Sequence, residues 1–565
     1  MKKPRWLRVL ALLLGLSLVA AACGDDDDTA GDDTDQTDGT TTTEGAGEGG
    51  GGGEIVDAGT FVGSPPEHLD PALNTTVNAY QVINALYDGL TDIDFSDPDN
   101  PEIVPLVAES YESNDEATEW TFTIRDDVTF SNGEQVLPSS FAGAWERAST
   151  PEFAGYYSYL FNFIEGGQAK LDGEADTISG VEADDENMTL TVRLSEPYAN
   201  FDAVASFQLF MPMPTEAIEA DDPGAWERDV MIGNGPYMME SAATTQEIVL
   251  VKNDDWAGDA DGNTFDERPD RITFQVTAEP DTSLNALAAG EADIATIPPG
   301  RVSDVRNSYG HTLDVNLLGT YYFHIGEDER IAGEENVLLR QAIMQAIDRD
   351  EINEAVYEGA RINATSMVPP GMLSYEEGLC EYCTYDEDAA REAFEQWEAE
   401  GNSLDGPLPI QFNADAGHEP VVEIIVDNLA AVGIQAEAQP MDGETYFSDL
   451  AEGACVLCRA GWIADYPSPD NFLYDLFHTE SLGQNNYGYS NTEFDGLVDE
   501  AKQSTDDDEQ ADLYQQAERI LLNDDIGAIP INWYTGTYAY DEDSISEFPY
   551  TPQGLILWER VRVAS

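Results

Sequence analysis

Alternating apolar and polar positions mark strands along the chain. Residues 119–125 (Glu-Trp-Thr-Phe-Thr-Ile-Arg) alternate with period two, which places Trp120, Phe122 and Ile124 on one face of a half-buried strand. The runs Leu190–Leu194, Ile248–Val251, Ile272–Val276 and Leu408–Phe412 read the same way. Apolar residues three and four apart predict helices over 338–347, 386–400, 420–431, 492–503 and 508–522. A further helix carries Phe141, Trp145 and Ala148, with Ser139 or Ser140 as its N-cap. Strands and helices follow one another without a regular βαβ repeat. No Pro, Gly and Ser stretch divides two autonomous halves, so any lobes share segments that cross between them.

The N-terminus departs from this mixed pattern. Lys2, Lys3, Arg5 and Arg8 precede an apolar run, Val9–Ala22, of 14 residues. That is short of the ~20 residues needed to span a bilayer. The run ends Leu18-Val19-Ala20-Ala21-Ala22-Cys23. Small residues directly before a cysteine resemble the lipobox of bacterial lipoproteins, here with Ala20 where leucine is usual. The resemblance implies a signal peptide over 1–22, cleaved before Cys23, and a lipid on Cys23. The alternative is a buried N-terminal helix or an uncleaved anchor. Residues 24–54 hold 11 acids and no base or aromatic residue, with Asp at 25–28, Thr at 40–43 and Gly49–Gly53. Such a segment cannot bury enough surface to fold, and we read 23–54 as a tether reaching ~30 Å on average.

Charge narrows the function classes. The chain has 565 residues, with 112 acids against 24 bases and a net charge of −88. Without the acids of residues 24–54 and the four leader bases, 101 acids still face 20 bases, a net of −81. A duplex or an anionic membrane surface would repel such a chain, so nucleic-acid binding is excluded. Adaptation to high salt accounts for the surplus, because at ~1 M salt the Debye length is ~3 Å and self-repulsion is screened; compositional bias of the lineage is the alternative. Hydrophobic residues at 42% rule out global disorder.

Several ordered blocks carry a family resemblance. Ala108-Glu109-Ser110-Tyr111 leads into Trp120–Arg125, then Phe130-Ser131-Asn132-Gly133, then a helix reaching Trp145-Glu146-Arg147. Leu69-Asp70-Pro71, Gly233-Asn234-Gly235-Pro236-Tyr237, Leu287–Asp293 and Leu339-Arg340-Gln341-Ala342 with Ala346–Arg349 follow the same order. The strongest block is Gly461-Trp462-Ile463-Ala464-Asp465-Tyr466-Pro467-Ser468-Pro469-Asp470-Asn471-Phe472. Over about residues 56–560 the chain resembles the extracellular solute-binding proteins of the peptide/nickel family (family 5), and within it the dipeptide- and oligopeptide-binding lipoproteins. Its Pro138-Ser139-Ser140-Phe141 departs from the family's usual helix start.

The resemblance implies an α/β, two-lobed periplasmic-binding-protein-like fold (type II, Venus-flytrap). Lobe one would take 55–318, with an inserted subdomain at about 100–225, and return over 536–565. Lobe two would take 319–535, with hinges near Gly319–Tyr322 and Ile531–Trp533. Family members that carry peptides pair an aspartate with the ligand's ammonium, and the alignment puts Asp465 there. A buried ammonium needs such a partner. The peptide main chain would add as a strand along Thr76 and Val77 on one lobe and Ala460–Ile463 on the other. Trp462 and Tyr322 would wall the pocket, with core or hinge packing as their alternative role, and Ile463 and Ala464 would also bind the ligand. Dipeptide-specific relatives fix the ligand carboxylate with an arginine just before the helix at about 420. Here Asn413–Glu419 contains none, which implies longer peptides or another amine-bearing ligand.

Cys380, Cys383, Cys455 and Cys458 form two CxxC pairs. Disulfides, within or between pairs, suit an exported protein. A tetrahedral zinc site and a redox pair are the alternatives. No Walker loop, HExxH or Gly-x-Ser-x-Gly elbow appears. The five histidines form no ligand cluster, and His418 beside Asp415 and Glu419 reads as a solvated loop rather than a metal ligand. The expected function is therefore a monomeric, cofactor-free receptor of an ABC importer. It binds peptides, is anchored by lipid outside the cytoplasmic membrane, and delivers its cargo to the permease and ATPase subunits. A nickel chelate, haem or an oligosaccharide is the alternative cargo, and a secreted peptidase the enzyme alternative.

Overall fold

Two long antiparallel strands join the halves of the described chain. The structure, a computed structural model, describes residues 53–564 apart from 99, 221–222, 299, 310, 415 and 444. The leader, Cys23 and the tether up to residue 52 lie outside the described residues. Seven strands position the site: β1 (Glu54–Val62), β2 (Arg271–Thr277), β3 (Ile294–Thr296), β4 (Thr312–Ile325), β5 (Leu408–Asn413), β6 (Leu457–Ile463) and β7 (Ala528–Tyr540). They belong to one mixed sheet in the order β5-β6-β4-β7-β3-β1-β2, extended at the β5 end by Ala436–Met441 and at the β2 end by Glu247–Lys252 and Tyr237–Met239. Strand β4 pairs with β7 in antiparallel register, Thr320 opposite Trp533 and Tyr321 opposite Asn532. The two segments expected as hinges are thus neighbours in one ladder.

Apolar side chains sort into two large cores. One gathers residues from Ile55 to Ile294 with Ile545, Ile556, Trp558 and Val561, and the other runs from Leu318 to Ile531. We assign lobe one to the first core and lobe two to the second. Tyr466 is the exception: it follows β6 in the chain, yet its fully buried ring sits in the first core. A four-stranded antiparallel sheet (Ala108–Ser113, Glu119–Ile124, Thr189–Arg193, Val181–Asp184) lies within the expected subdomain. Its Trp120, Phe122, Leu190 and Val192 join the first core and build none of their own.

Local chemistry moves some boundaries. Glu54, read as tether, opens β1 and accepts a hydrogen bond from Arg271 Nε at 3.1 Å. The helix over Pro138–Ala148 is N-capped by Leu137, not by a serine. Proline suits the first helical position because it has no N–H to lose, and Ser140 Oγ then reaches back to accept the Leu137 N–H at 3.1 Å. The last predicted helix is α-helical over Asp507–Arg519 and widens to a π turn over Ile520–Asp524.

Buried carboxyls give the fold a pH signature. Burial pushes Asp88 up to about 8 and Glu518 up to about 7. Both are hydrogen-bonded, Asp88 Oδ2 by Trp256 Nε1–H at 2.6 Å and Glu518 by the Met367 and Val368 amides. A carboxyl with a folded pKa above its unfolded value holds more protons folded than unfolded between the two, so stability falls as pH rises through that window. Repulsion among surface carboxylates acts in the same direction and is screened by salt. The melting temperature is therefore expected to drop from pH 5 to pH 8 in dilute buffer, with ~1 M NaCl restoring only part of the loss. Calorimetry checks this, and a melting temperature that rises over that range contradicts it.

Candidate functional site

Strand β6 has one committed edge and one open edge. Along β4 it pairs from Gly319–Ile463 to Ile325–Leu457. On the other side β5 reaches only Leu457 and Cys458. From Ala460 to Ile463 that second edge has no strand partner among the described residues, and these residues line a cavity of about 450 Å³. Unpaired main-chain groups at a sheet edge are a template for an added strand. A Cβ at Gly461 would overlap Tyr534 Oη, so a larger residue there would displace that ring.

All seven residues expected at the ligand line this one cavity: Thr76, Val77, Tyr322, Trp462, Ile463, Ala464 and Asp465. Tyr322 is also part of the lobe-two core. The expected strand edge at Thr76 and Val77 is corrected. Asn74 Oδ1 accepts the Thr76 N–H at 2.9 Å, and Thr76 Oγ1 accepts the Ala79 N–H at 3.3 Å. These bonds make Thr76 the N-cap, and Val77 the first residue, of α1 (Val77–Leu86). The pair therefore offers side chains and a helix start, not a ladder.

Asp465 is organised by neutral groups. Asn471 Oδ1 accepts both the Asp465 N–H and the Trp462 Nε1–H at 2.9 Å. Its Nδ2 donates to Asp475 Oδ2 at 2.8 Å and, more weakly, towards Asp465 Oδ2 at 3.4 Å. Gln553, from the returning C-terminal segment, donates to the Asp465 carbonyl at 2.8 Å. The Tyr157 hydroxyl donates to the carboxylate. No ion pair reaches Asp465 among the described residues. Burial lifts its pKa to about 7, against the lowering effect of Asn471 and Tyr157.

The other end of this edge is positive, which the sequence reading missed. Arg459 Nη2 donates to Tyr534 Oη at 3.1 Å, and its guanidinium stacks 4.8 Å from the Tyr321 ring centre. Arg361 lies 4.6 Å over Tyr534 and 4.8 Å over Tyr357. Arg459 Nε and Arg361 Nη1 are buried without a hydrogen-bond partner, and neither arginine has a carboxylate partner among the described residues. His418 meets Tyr321 Oη through Nδ1 at 3.3 Å. Burial, with Arg459 and Arg361 beside it, lowers its pKa to about 3, so it stays neutral. It is half-buried rather than a solvated loop residue. The stretch 413–419 has no arginine, but Arg459 of β6 and Arg361 gather beside His418. The available signal was an arginine six residues before Asp465 in a chain with few bases.

The cysteines are joined within each pair, Cys380 to Cys383 and Cys455 to Cys458. The first disulfide packs on Met344, Cys380 Sγ lying 3.3 Å from its Sδ. The second closes the start of β6, where Cys458 stands opposite His324 of β4.

The chain belongs to the bacterial extracellular solute-binding proteins, family 5, whose pattern matches residues 102–484. It is 28% identical over 498 residues to the oligopeptide-binding protein OppA of Bacillus subtilis (strain 168), covering 85% of this chain and 88% of that protein. The murein tripeptide binding protein MppA of Escherichia coli superposes with a TM-score of 0.73 at 22% identity, over 91% of this chain and 98% of that one. OppA of Haemophilus influenzae in complex with RPPGFSPFR superposes at 0.71 and 25% identity, over 91% and 99%. The expected α/β two-lobed architecture is the one these proteins share.

The pairing leaves Cys380, Cys383, Cys455 and Cys458 without free thiols. Protein purified without reductant and then denatured should show no thiol from these four on colorimetric titration, and four thiols after reduction. Free thiols before reduction would contradict the pairing.

Proposed function

We propose that this chain is the peptide-capturing lipoprotein of an ABC importer. The observation that carries the reading is the open edge of β6 along the cavity, with Asp465 in the lining and the guanidinium groups of Arg459 and Arg361 against another lining residue, Tyr534, none of the three with an ion-pair partner among the described residues. A free peptide is the complement of that arrangement. Its main chain supplies strand hydrogen bonds, its ammonium meets Asp465 and its carboxylate meets the arginines. At ~3.3 Å per residue, the six steps from Arg459 to Asp465 span ~20 Å less the inward reach of the side chains, which suits a short peptide of about three to six residues. The printed names of the relatives, oligopeptide-binding proteins among them, support this cargo.

Aromatic side chains such as Tyr80, Tyr157, Phe207 and Trp462 line the rest of the cavity. They offer broad apolar surface, and the Trp462 N–H and Tyr157 O–H are already engaged by Asn471 and Asp465, which favours a tolerant receptor over a selective one. The protein binds, closes and presents; it makes no covalent bond. Closure follows from tighter binding of the ligand to the closed arrangement. The lipid on Cys23 keeps the receptor, as a monomer, on the outer face of the cytoplasmic membrane beside the permease. The importer's own ATPase subunits supply the energy.

Tetra-alanine serves as the probe. Asp465→Asn should raise its Kd by more than tenfold, because a charge-assisted bond is replaced by a neutral one. Below about pH 7 the free receptor holds a proton on Asp465 that the ammonium must displace, so affinity should fall about tenfold per pH unit, with one proton released on binding. Calorimetry in buffers of different ionisation enthalpy measures both effects, and unchanged affinity in the Asn variant sinks the reading. At the other end, wild type should prefer the free acid over the C-terminal amide, and Arg459→Met should remove that preference.

A further inference from the structure

The lobes also touch away from the ligand cavity. Helix α2 (Asp470–Phe477) and helix α3 (Thr492–Gln503) belong to lobe two. Near the end of α3, the Lys502 Nζ lies 3.5 Å from the ring centre of Tyr474, 4.6 Å from that of Phe163 and 5.0 Å from that of Tyr198. Tyr474 packs on the lobe-two core, whereas Phe163 and Tyr198 belong to the lobe-one core. The aromatic box around this ammonium therefore takes one ring from lobe two and two from lobe one.

Neighbouring bonds cross at the same place. Ala199 N–H donates to the Lys502 carbonyl at 2.9 Å. Asn200 Nδ2 donates to Ser468 Oγ at 3.0 Å and to Gln510 Oε1 at 3.1 Å. The Tyr198 hydroxyl donates to Asp470 Oδ2. Lys502 is only 8% exposed and has no carboxylate in ion-pair contact among the described residues. Lys170, by contrast, pairs with Glu146 at 3.3 Å, and Lys252 donates to the Asp266 carbonyl at 2.8 Å. Lys502 is not boxed in by solid packing, because a cavity of about 350 Å³, with Glu196, Glu480 and Asp499 in its lining, opens beside it. Its ammonium nonetheless sits among the rings. Burial disfavours that charge, and Asp470, Asp475, Asp499 and Glu196 offset the cost. Desolvation is also the condition under which a cation over aromatic faces is held most strongly.

We propose that Lys502 is an interlobe clasp, an ammonium on lobe two caged by aromatic rings of both lobes, that holds the lobes together at a contact the ligand does not make. This deepens the proposed function and rests on its picture of capture between lobes. The clasp sets how often the lobes part, and so how long cargo stays.

The test uses the full chain as Lys502→Met, which keeps the apolar stem, and Lys502→Arg, which keeps a cation. Small-angle scattering reads the ligand-free lobe separation, and stopped-flow tryptophan fluorescence reads tetra-alanine release. Ligand-free Lys502→Met should have a larger radius of gyration than wild type and release tetra-alanine about tenfold faster; Lys502→Arg should restore both. Phe163→Leu, which removes a wall on the facing lobe, should open the protein in the same direction and stands in if Lys502→Met fails to fold. An unchanged radius in the ligand-free variants overturns the clasp, as does a lowered melting temperature shared equally by Met and Arg with no opening. If wild type does not bind tetra-alanine, the carrier reading fails, and the ligand-free scattering still decides the clasp.

Discussion

A carboxylate taken out of water with no cation beside it is costly as an ion, and Asp465 is held in that condition. Its neighbours are an amide, a phenol and main-chain groups, all neutral. They orient the group without neutralising it, and burial raises its pKa to about 7. Arg459 and Arg361 pose the same problem with the sign reversed. Asp465 and Arg459 thus stand at opposite ends of one open stretch of β6, with Arg361 beside Arg459's partner Tyr534, and none has an ion-pair partner among the described residues.

The scaffold explains how both charges reach the same edge. Strand β4 is committed on both sides, to β6 and to β7. It ties the lobes through its own length and leaves the outer edge of β6 free where β5 diverges. The Cys455–Cys458 bridge closes the start of β6, and Asn471 braces its far end through Trp462 and Asp465. The strand is thus fixed at both ends and free to pair in between. Lys502 stands on a separate helix of lobe two, within electrostatic reach of Asp470 and Asp475 on the helix that follows Asp465.

Surface charge and site charge pull in different directions. The net charge of −88 sets a field that repels strongly anionic solutes. Beside the site, against Tyr534, two arginines without carboxylate partners among the described residues make a local exception.

The regular elements were legible in the chain because their patterns are local. The alternation at 119–125 and the helical spacing over 492–503 each needed only near neighbours, and the structure places them at Glu119–Ile124 and Thr492–Gln503. Asp465 was legible only through the motif around it, since one aspartate before Tyr-Pro says nothing by itself. The N-cap at Leu137 was missed because proline's freedom at the helix start outweighed the usual preference for serine. The gathering of Arg361, Arg459 and His418 was not legible, because they lie far apart in sequence and meet only when β6 is seated in the sheet. The aromatic box around Lys502 has the same cause, for its walls come from residues 163, 198 and 474. Local periodicity is written in spacing along the chain; which charges go unpaired is decided by what burial brings near them, and only the tertiary structure contains that.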